Sequence, residues 1–85
     1  FVNHLYYIAG NICEQNNVPF DVLLPLIQET ANKVIELHPK DAQTGPAKRG
    51  DQLIIDRHLE ELQNDSRLLQ IYQIMTDSIK RVYEK

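Results

Sequence analysis

The chain has 85 residues, a net charge of −3 and an apolar fraction of 42%. This length predicts one small domain whose core covers only part of its apolar surface. The scattered basic residues argue against nucleic-acid binding. The longest apolar run, residues 22–27, is interrupted by Pro25 and is far shorter than the roughly 20 residues of a membrane span. The single Cys13 excludes an internal disulfide and predicts a reducing, cytoplasmic location.

A first helix is predicted over residues 1–16, where apolar side chains recur with helical spacing. Its apolar stripe consists of Leu5, Ile8, Ala9, Ile12 and Cys13. Because Cys13 lies on this stripe, we expect a buried and unreactive thiol. Gly10 lies within the pattern, where a glycine favours close contact with a neighbouring helix.

A second helix is expected to begin close to Pro25, after an N-cap at Asp21, and to run to about Leu37. The following His38-Pro39 pair ends it, because a residue before proline avoids the α region. The apolar face of this helix is too wide for a single neighbour. We therefore expect it to be buried by its own domain on one side and by another chain or domain on the other.

Residues 39–50 hold two of the three glycines and two of the four prolines, which predicts a loop with room for a short helical turn. A third helix then begins with an N-cap at Asp51. Its predicted inward residues are Leu53, Ile54, Ile55, His58, Leu59 and Leu62. A fourth begins with a cap at Asp65 or Ser66, and its predicted stripe is Leu68, Ile71, Tyr72, Met75, Ile79 and Val82. With no sustained period-2 alternation, the sequence predicts an all-α fold, a compact bundle of about four to five helices.

The glycines and histidines give no classical cofactor or metal motif. Gly10, Gly45 and Gly50 cannot form the G-x-G-x-x-G loop of a dinucleotide site, so this chain is expected to hold no cofactor. The three histidines are too dispersed for a metal site. His58, on the inward face of its helix, is expected to hydrogen-bond backbone or a neighbouring helix, with a catalytic role as the alternative.

Two polar segments are candidates for functional contacts. Asn3 and His4 lie on the polar side of the first helix, facing either solvent or a preceding domain. The segment from Thr44 to Asp51 places Arg49 beside a glycine, just before a helix start. Arg49 there either holds a carboxylate or phosphate group or pairs with an acidic neighbour to order the loop.

Several short motifs occur together in order along the chain. They are Asn3-His4-Leu5, Leu23-Leu24-Pro25-Leu26-Ile27, Glu29-Thr30, Thr44-Gly45-Pro46, Arg49-Gly50-Asp51 and His58-Leu59. Over about residues 1–72, this order resembles a helical C-terminal domain of unknown function that follows a Rossmann-like NAD(P)-binding domain in a family of predicted oxidoreductases. The domain is similar to the C-terminal domain of 6-phosphogluconate dehydrogenase.

The resemblance implies that residues 1–85 are one helical domain on the substrate side of an NAD(P)-dependent oxidoreductase. Phe1 is not a start methionine, and we expect a Rossmann-like domain upstream to bind NADP or NAD, so that the chain alone is inactive. The resemblance also implies a homodimer, without nucleic-acid or membrane partners. Its candidate substrate or interdomain-cleft residues are Asn3, His4, Thr44, Arg49, Asp51 and His58. The alternative is a non-catalytic helical dimerisation or protein-interaction module, which needs only the apolar surface.

Overall fold

A computed structural model of the chain describes residues 1–84, and every regular element in that range is helical. The all-α prediction is therefore confirmed. The chain folds as two compact units, Phe1–Ala42 and Gln43–Lys85. Each unit has its own internal packing.

The first unit begins with helix α1, followed by a short 3₁₀ turn, helix α2 and the single-turn helix α3. Their bounds are Val2–Gln15, Phe20–Leu23, Leu24–Glu36 and Pro39–Ala42. The 3₁₀ turn contacts both α1 and α2, and α3 contacts α2. The turn is therefore the link through which α1 and α2 are joined.

The predicted close contact at Gly10 is present, although its partner is the 3₁₀ turn. A Cβ atom placed on Gly10 would lie 3.4 Å from Cδ1 of Phe20. Cys13, one turn further along α1, is buried as predicted. The rest of the predicted stripe is less covered: Leu5 is 43% exposed and Ile12 38% exposed.

The N-cap predicted at Asp21 is wrong. Asp21 lies inside the 3₁₀ turn, and α2 begins after Leu23 with no side-chain cap. Pro25 occupies the first turn of α2, where its fixed φ fits the helix and its missing N–H removes no bond. The helix ends at an extended Leu37, one residue before the His38-Pro39 pair.

The apolar face of α2 is uncovered to a degree that the sequence did not predict. We expected its own domain to bury one side, but no residue of α2 is buried. Leu26 is 60% exposed, Val34 49% and Ile35 80%. In residues 1–84, therefore, this face has no full cover.

The second unit is formed by the single-turn helix α4 (Pro46–Arg49) and the longer helices α5 (Gln52–Leu62) and α6 (Ser66–Tyr83), which contact one another. Its buried residues are Ala47, Ile55 and Thr76. Each of the three helices contributes one of these residues, so the centre of the unit lies where they meet.

The predicted loop over residues 39–50 contains both single-turn helices. The second of them, α4, has proline at its start and glycine on either side. Gly45 precedes it at φ 101° and Gly50 follows it in the left-handed region at φ 69°. Proline favours a helix start and glycine a helix end, so this segment encodes one complete turn.

Two features of α5 and α6 refine the prediction. Leu53 was expected to face inward but is 74% exposed. It lies two residues before Ile55, which places it about 200° around the helix from that buried side chain. Asp65 is the residue that caps α6, accepting a 3.1 Å hydrogen bond from the backbone N–H of Leu68.

Candidate functional site

Arg49 and Asp51 are in contact at the junction of α4 and α5. Nη2 of Arg49 lies 3.6 Å from Oδ2 of Asp51, and the Arg49 side chain is 59% exposed. The backbone N–H of Ile54 donates to Oδ1 of Asp51 at 3.3 Å. Asp51 therefore caps α5, as predicted, and pairs with Arg49 at the same time.

This geometry favours the interpretation in which Arg49 orders the segment. The N–H group of Ile54 in the first turn of α5 already donates to the Asp51 carboxylate, so an external anion would compete with Asp51 there. The ion pair is long and solvent-exposed, and such pairs contribute little to stability. More than half of the Arg49 side chain is exposed and its guanidinium has five N–H donors, so Arg49 retains donors for a further anion.

His58 on α5 contacts Tyr72 on α6. Nδ1 of His58 and the phenolic oxygen of Tyr72 are hydrogen-bonded at 2.8 Å. Their rings meet edge to face, with centroids 5.5 Å apart. The hydrogen bond to a neighbouring helix is therefore as predicted for His58.

Burial raises the pKa of the Tyr72 phenol, and a hydrogen bond with the Thr76 side chain lowers it in part. The phenol therefore keeps its proton at neutral pH. It can donate a hydrogen bond to Nδ1 of His58 in the tautomer in which Nδ1 carries no hydrogen. A neutral phenol held in this way is also a fixed hydrogen-bonding group for a ligand.

Tyr72 lines a cleft between α5 and α6, which we call the tyrosine cleft. Its volume is about 490 Å³, and its walls include Gln52, Ile55, Tyr72, Thr76, Asp77 and Lys80. A volume of this size falls within the range of roughly 300–1,000 Å³ of small-molecule sites. His58 supports this cleft through Tyr72.

A second cleft lies where α4 meets the C-terminal end of α6, and we call it the basic cleft. Its volume is about 350 Å³, and its walls include Lys48, Arg49, Gln52, Lys80, Tyr83 and Glu84. Lys80 donates a 3.0 Å hydrogen bond to Oε1 of Gln52. Both residues line both clefts, so this hydrogen bond lies on their common wall.

The remaining predicted site residues lie elsewhere in the chain. Asn3 and His4 are exposed on α1 in the first unit, and the His4 ring stacks on Tyr7 with centroids 5.8 Å apart. Thr44 is exposed in the second unit, and its carbonyl accepts a 2.9 Å hydrogen bond from the Gln43 side chain. Of the six candidates, the structure brings Arg49 and Asp51 into direct contact with each other.

Sequence reasoning missed Lys48, Tyr72 and Lys80 as cleft residues. Lys80 is 28 residues from its partner Gln52, and Tyr72 is 14 residues from His58. The one available signal was helical spacing, since Tyr72, Thr76 and Lys80 recur every four residues and so lie on one face of α6.

Residues 1–84 contain no group of three or more His, Cys, Asp or Glu side chains arranged to hold a metal ion. Within the same range, no helix combines the length and the apolar character that crossing a bilayer requires.

Comparison with known proteins places the fold. Among curated proteins, none matches the chain significantly. The chain is similar to the crystal structure of a putative NADP oxidoreductase from Bacteroides fragilis, at 48% sequence identity and a TM-score of 0.94. The match covers 96% of this chain but spans 32% of the Bacteroides protein.

A family model also matches residues 1–79, which is nearly the whole chain. Its description is "Domain of unknown function (DUF2520)". The predicted resemblance to a helical domain of unknown function is thereby confirmed. The chain belongs to the DUF2520 family.

Proposed function

We propose that this chain is the helical substrate-side and dimerisation domain of an NAD(P)-dependent oxidoreductase. The observation that carries the proposal is the match to the Bacteroides fragilis protein, which is described as a putative NADP oxidoreductase. An identity of 48% over 96% of this chain supports a common role for the shared segment. That segment spans 32% of the longer protein, which is consistent with a helical domain that works beside a larger one.

The residues of this chain do not fit a dinucleotide site of the usual kind. Its three glycines are Gly10, Gly45 and Gly50, and their spacing cannot form the loop that approaches a pyrophosphate. We therefore propose that an upstream Rossmann-like domain binds NADP or NAD. When bound there, the cofactor supplies the hydride, and the helical domain positions the substrate.

Within the proposed domain, the groups suited to substrate contact lie in the second unit. Arg49 presents an accessible guanidinium, and Tyr72 presents a phenol held by His58. Thr44 and Asp51 lie at the two ends of the segment that contains Arg49. Asn3 and His4, at the exposed start of α1, remain candidates for contact with a preceding domain.

The test uses the longer protein that includes the upstream region. It is expected to bind NADPH or NADH in a fluorescence titration and to oxidise one of them in the presence of a carbonyl substrate. Arg49→Ala should lower kcat/KM by about ten- to a hundredfold, because a hydrogen bond to a charged group is lost. The Kd for the dinucleotide should change by less than about twofold, since Arg49 is proposed to contact the substrate.

Arg67→Ala serves as the matched control, because Arg67 is exposed in the first turn of α6, away from both clefts. It should leave both constants unchanged. Failure of the longer protein to bind either dinucleotide would overturn the oxidoreductase proposal. Equal losses of cofactor and substrate binding in Arg49→Ala would instead remove Arg49 from the substrate side.

The dimerisation part of the proposal rests on exposed apolar side chains. Val34, Ile35 and Leu37 on and after α2 are each 48% exposed or more, and Leu26 is 60% exposed. Val34, Ile35 and Leu37 are close together in sequence at the end of α2, and exposed apolar side chains grouped in this way mark an interaction surface. A second copy of the chain is the proposed cover, since closed symmetric pairs are the commonest oligomers.

Sedimentation velocity tests this part of the proposal. The chain is expected to sediment as a dimer, and Ile35→Glu should raise the dimer dissociation constant by at least about tenfold, because it would bury a charge at the contact. Leu53→Glu is the matched control, because Leu53 is similarly exposed but lies on α5. A strictly monomeric chain, or equal weakening by both variants, would count against a dimer formed through α2.

The second candidate function is a non-catalytic dimerisation or protein-interaction module. The same exposed face of α2 favours it, because that face needs a partner but no chemistry. A dimer without dinucleotide binding by the longer protein would select this module. The cytoplasm remains the proposed location, supported by the single buried thiol of Cys13.

A further inference from the structure

The basic cleft gathers three of the chain's nine basic residues around one opening of about 350 Å³: Lys48, Arg49 and Lys80. The chain as a whole has a net charge of −3, so this concentration of positive charge is local. Glu84 is the acidic residue that lines the cleft. Because the carboxylate of Asp51 also contacts Arg49, the cleft together with this carboxylate carries a surplus of one positive charge.

Two of these cations have neutral partners. The ammonium group of Lys48 lies 5.3 Å from the centroid of the Tyr83 ring, within the range of a cation–π contact. Lys80 donates to the neutral amide of Gln52. Within residues 1–84, the carboxylate contact at this cleft is the 3.6 Å pair of Arg49 with Asp51. An ammonium group has three N–H donors, so Lys48 and Lys80 retain donors for a further acceptor.

Each of the three basic side chains also has a contact within the second unit. Lys80 contacts Gln52 on α5, Lys48 contacts Tyr83 near the end of α6, and Arg49 contacts Asp51 at the start of α5. The cations arise from α4 and α6, and the buried Ala47 anchors α4 in the unit. Because the groups are partly ordered beforehand, binding an anion costs less side-chain entropy than it would at a bare surface.

We propose that the basic cleft binds a phosphate group of a small anionic ligand. A phosphate group presents more acceptor oxygens than a carboxylate, so it can accept hydrogen bonds from more of the basic side chains at once. Its oxygens are acceptors, and the ammonium and guanidinium groups of the cleft are donors. The volume leaves room for more than the phosphate, and Ala47 and the Tyr83 ring form an apolar wall for the remainder of the ligand.

This inference deepens the proposed function. It rests on that function for the meaning of the phosphate as a substrate group, and phosphate binding itself is measured without any turnover.

The test is a titration of the isotope-labelled chain with inorganic phosphate, followed by NMR, at constant ionic strength and above the second pKa of phosphate. Saturable shifts are expected in the backbone of residues 47–52 and in the side-chain amide of Gln52. Lys48→Gln and Lys80→Gln should each weaken binding by about tenfold, because each removes a charge-assisted hydrogen bond. Lys80→Arg should restore most of the affinity.

Two control variants distinguish phosphate binding in the basic cleft from nonspecific attraction to positive charge elsewhere on the chain. Arg81→Gln and Lys33→Gln remove the same charge, but neither residue lines the cleft. They should change the dissociation constant by less than about twofold. Dispersed NMR spectra show that each variant is folded. If Lys80→Gln unfolds the chain, Lys48→Gln alone tests the site, because Lys48 is exposed and its substitution should not affect folding.

The phosphate site is supported if phosphate causes saturable shifts in the cleft, the two lysine variants weaken this binding, and acetate does not cause the same shifts. Absence of saturable shifts overturns it, as does equal weakening by Arg81→Gln. Phosphate binding together with no dinucleotide binding by the longer protein supports the site and overturns the proposed function. Dinucleotide binding by the longer protein without phosphate-induced shifts supports the proposed function and overturns the phosphate site.

Discussion

Ile55→Ala is expected to lower the free energy of unfolding by about 2–5 kcal/mol. Ile55 is 2% exposed at the centre of the second unit. Removing its outer atoms takes away apolar burial and leaves a cavity that neighbouring helices fill only partly. Equilibrium unfolding in urea, followed by circular dichroism, measures the change.

Leu53→Ala is the control for Ile55→Ala. Leu53 lies on the same helix, two residues earlier, and is 74% exposed. Removal of its side chain should change the free energy of unfolding by less than about 0.5 kcal/mol. If both variants lose the same amount, Ile55 is not the core residue that the structure describes.

Gly45→Ala is expected to lower the free energy of unfolding by about 1–3 kcal/mol. Gly45 has φ 101° and ψ 173°, a backbone conformation that side chains with a Cβ rarely adopt. A Cβ atom placed there would meet no atom within 4 Å. The expected loss of unfolding free energy therefore comes from backbone strain alone. Equilibrium unfolding in urea measures this loss.

Gly10→Ala is the matched substitution inside a helix. Alanine there gains up to about 1 kcal/mol of helix propensity over glycine. Its Cβ would contact Phe20 at 3.4 Å, which a small shift of the ring accommodates. A loss in Gly10→Ala equal to that in Gly45→Ala would mean that added bulk, and not the φ angle, destabilises both variants.

The parts of the fold that sequence predicted well are those fixed by local chemistry. The caps at Asp51 and Asp65 and the position of Pro25 each depend on a few neighbouring residues. The single turn α4 has equally local signals, with Pro46 at its start and Gly50 at its end. It was predicted as part of a loop because a turn of four residues is too short to show apolar periodicity.

Apart from the N-cap predicted at Asp21, the errors arise where an apolar residue has more than one available environment. Leu53, Ile54 and Ile55 are consecutive, so they spread over about 200° of helix surface and cannot all face one neighbour. Composition alone does not say which of the three is buried. For α2, the sequence likewise does not say which apolar residues are buried, so it did not predict how little of the apolar face of α2 the chain itself covers.

The candidate site was predicted only in part, because its geometry depends on long-range pairing. Arg49 and Asp51 are two residues apart, and the pairing of Arg49 with an acidic neighbour was one of the two alternatives that the sequence left open. The clefts depend on the contact of α4 and α5 with α6, which sets Lys80 beside Gln52 and Tyr72 beside His58. No local pattern states which residues of α6 face α5.

The buried Cys13 gives the first unit a chemical reporter of its own. It is the chain's single cysteine, and its side chain lies on the inner side of α1. A thiol reagent in solution therefore reaches it chiefly when the surroundings of Cys13 open, so the labelling rate measures how often that local opening occurs.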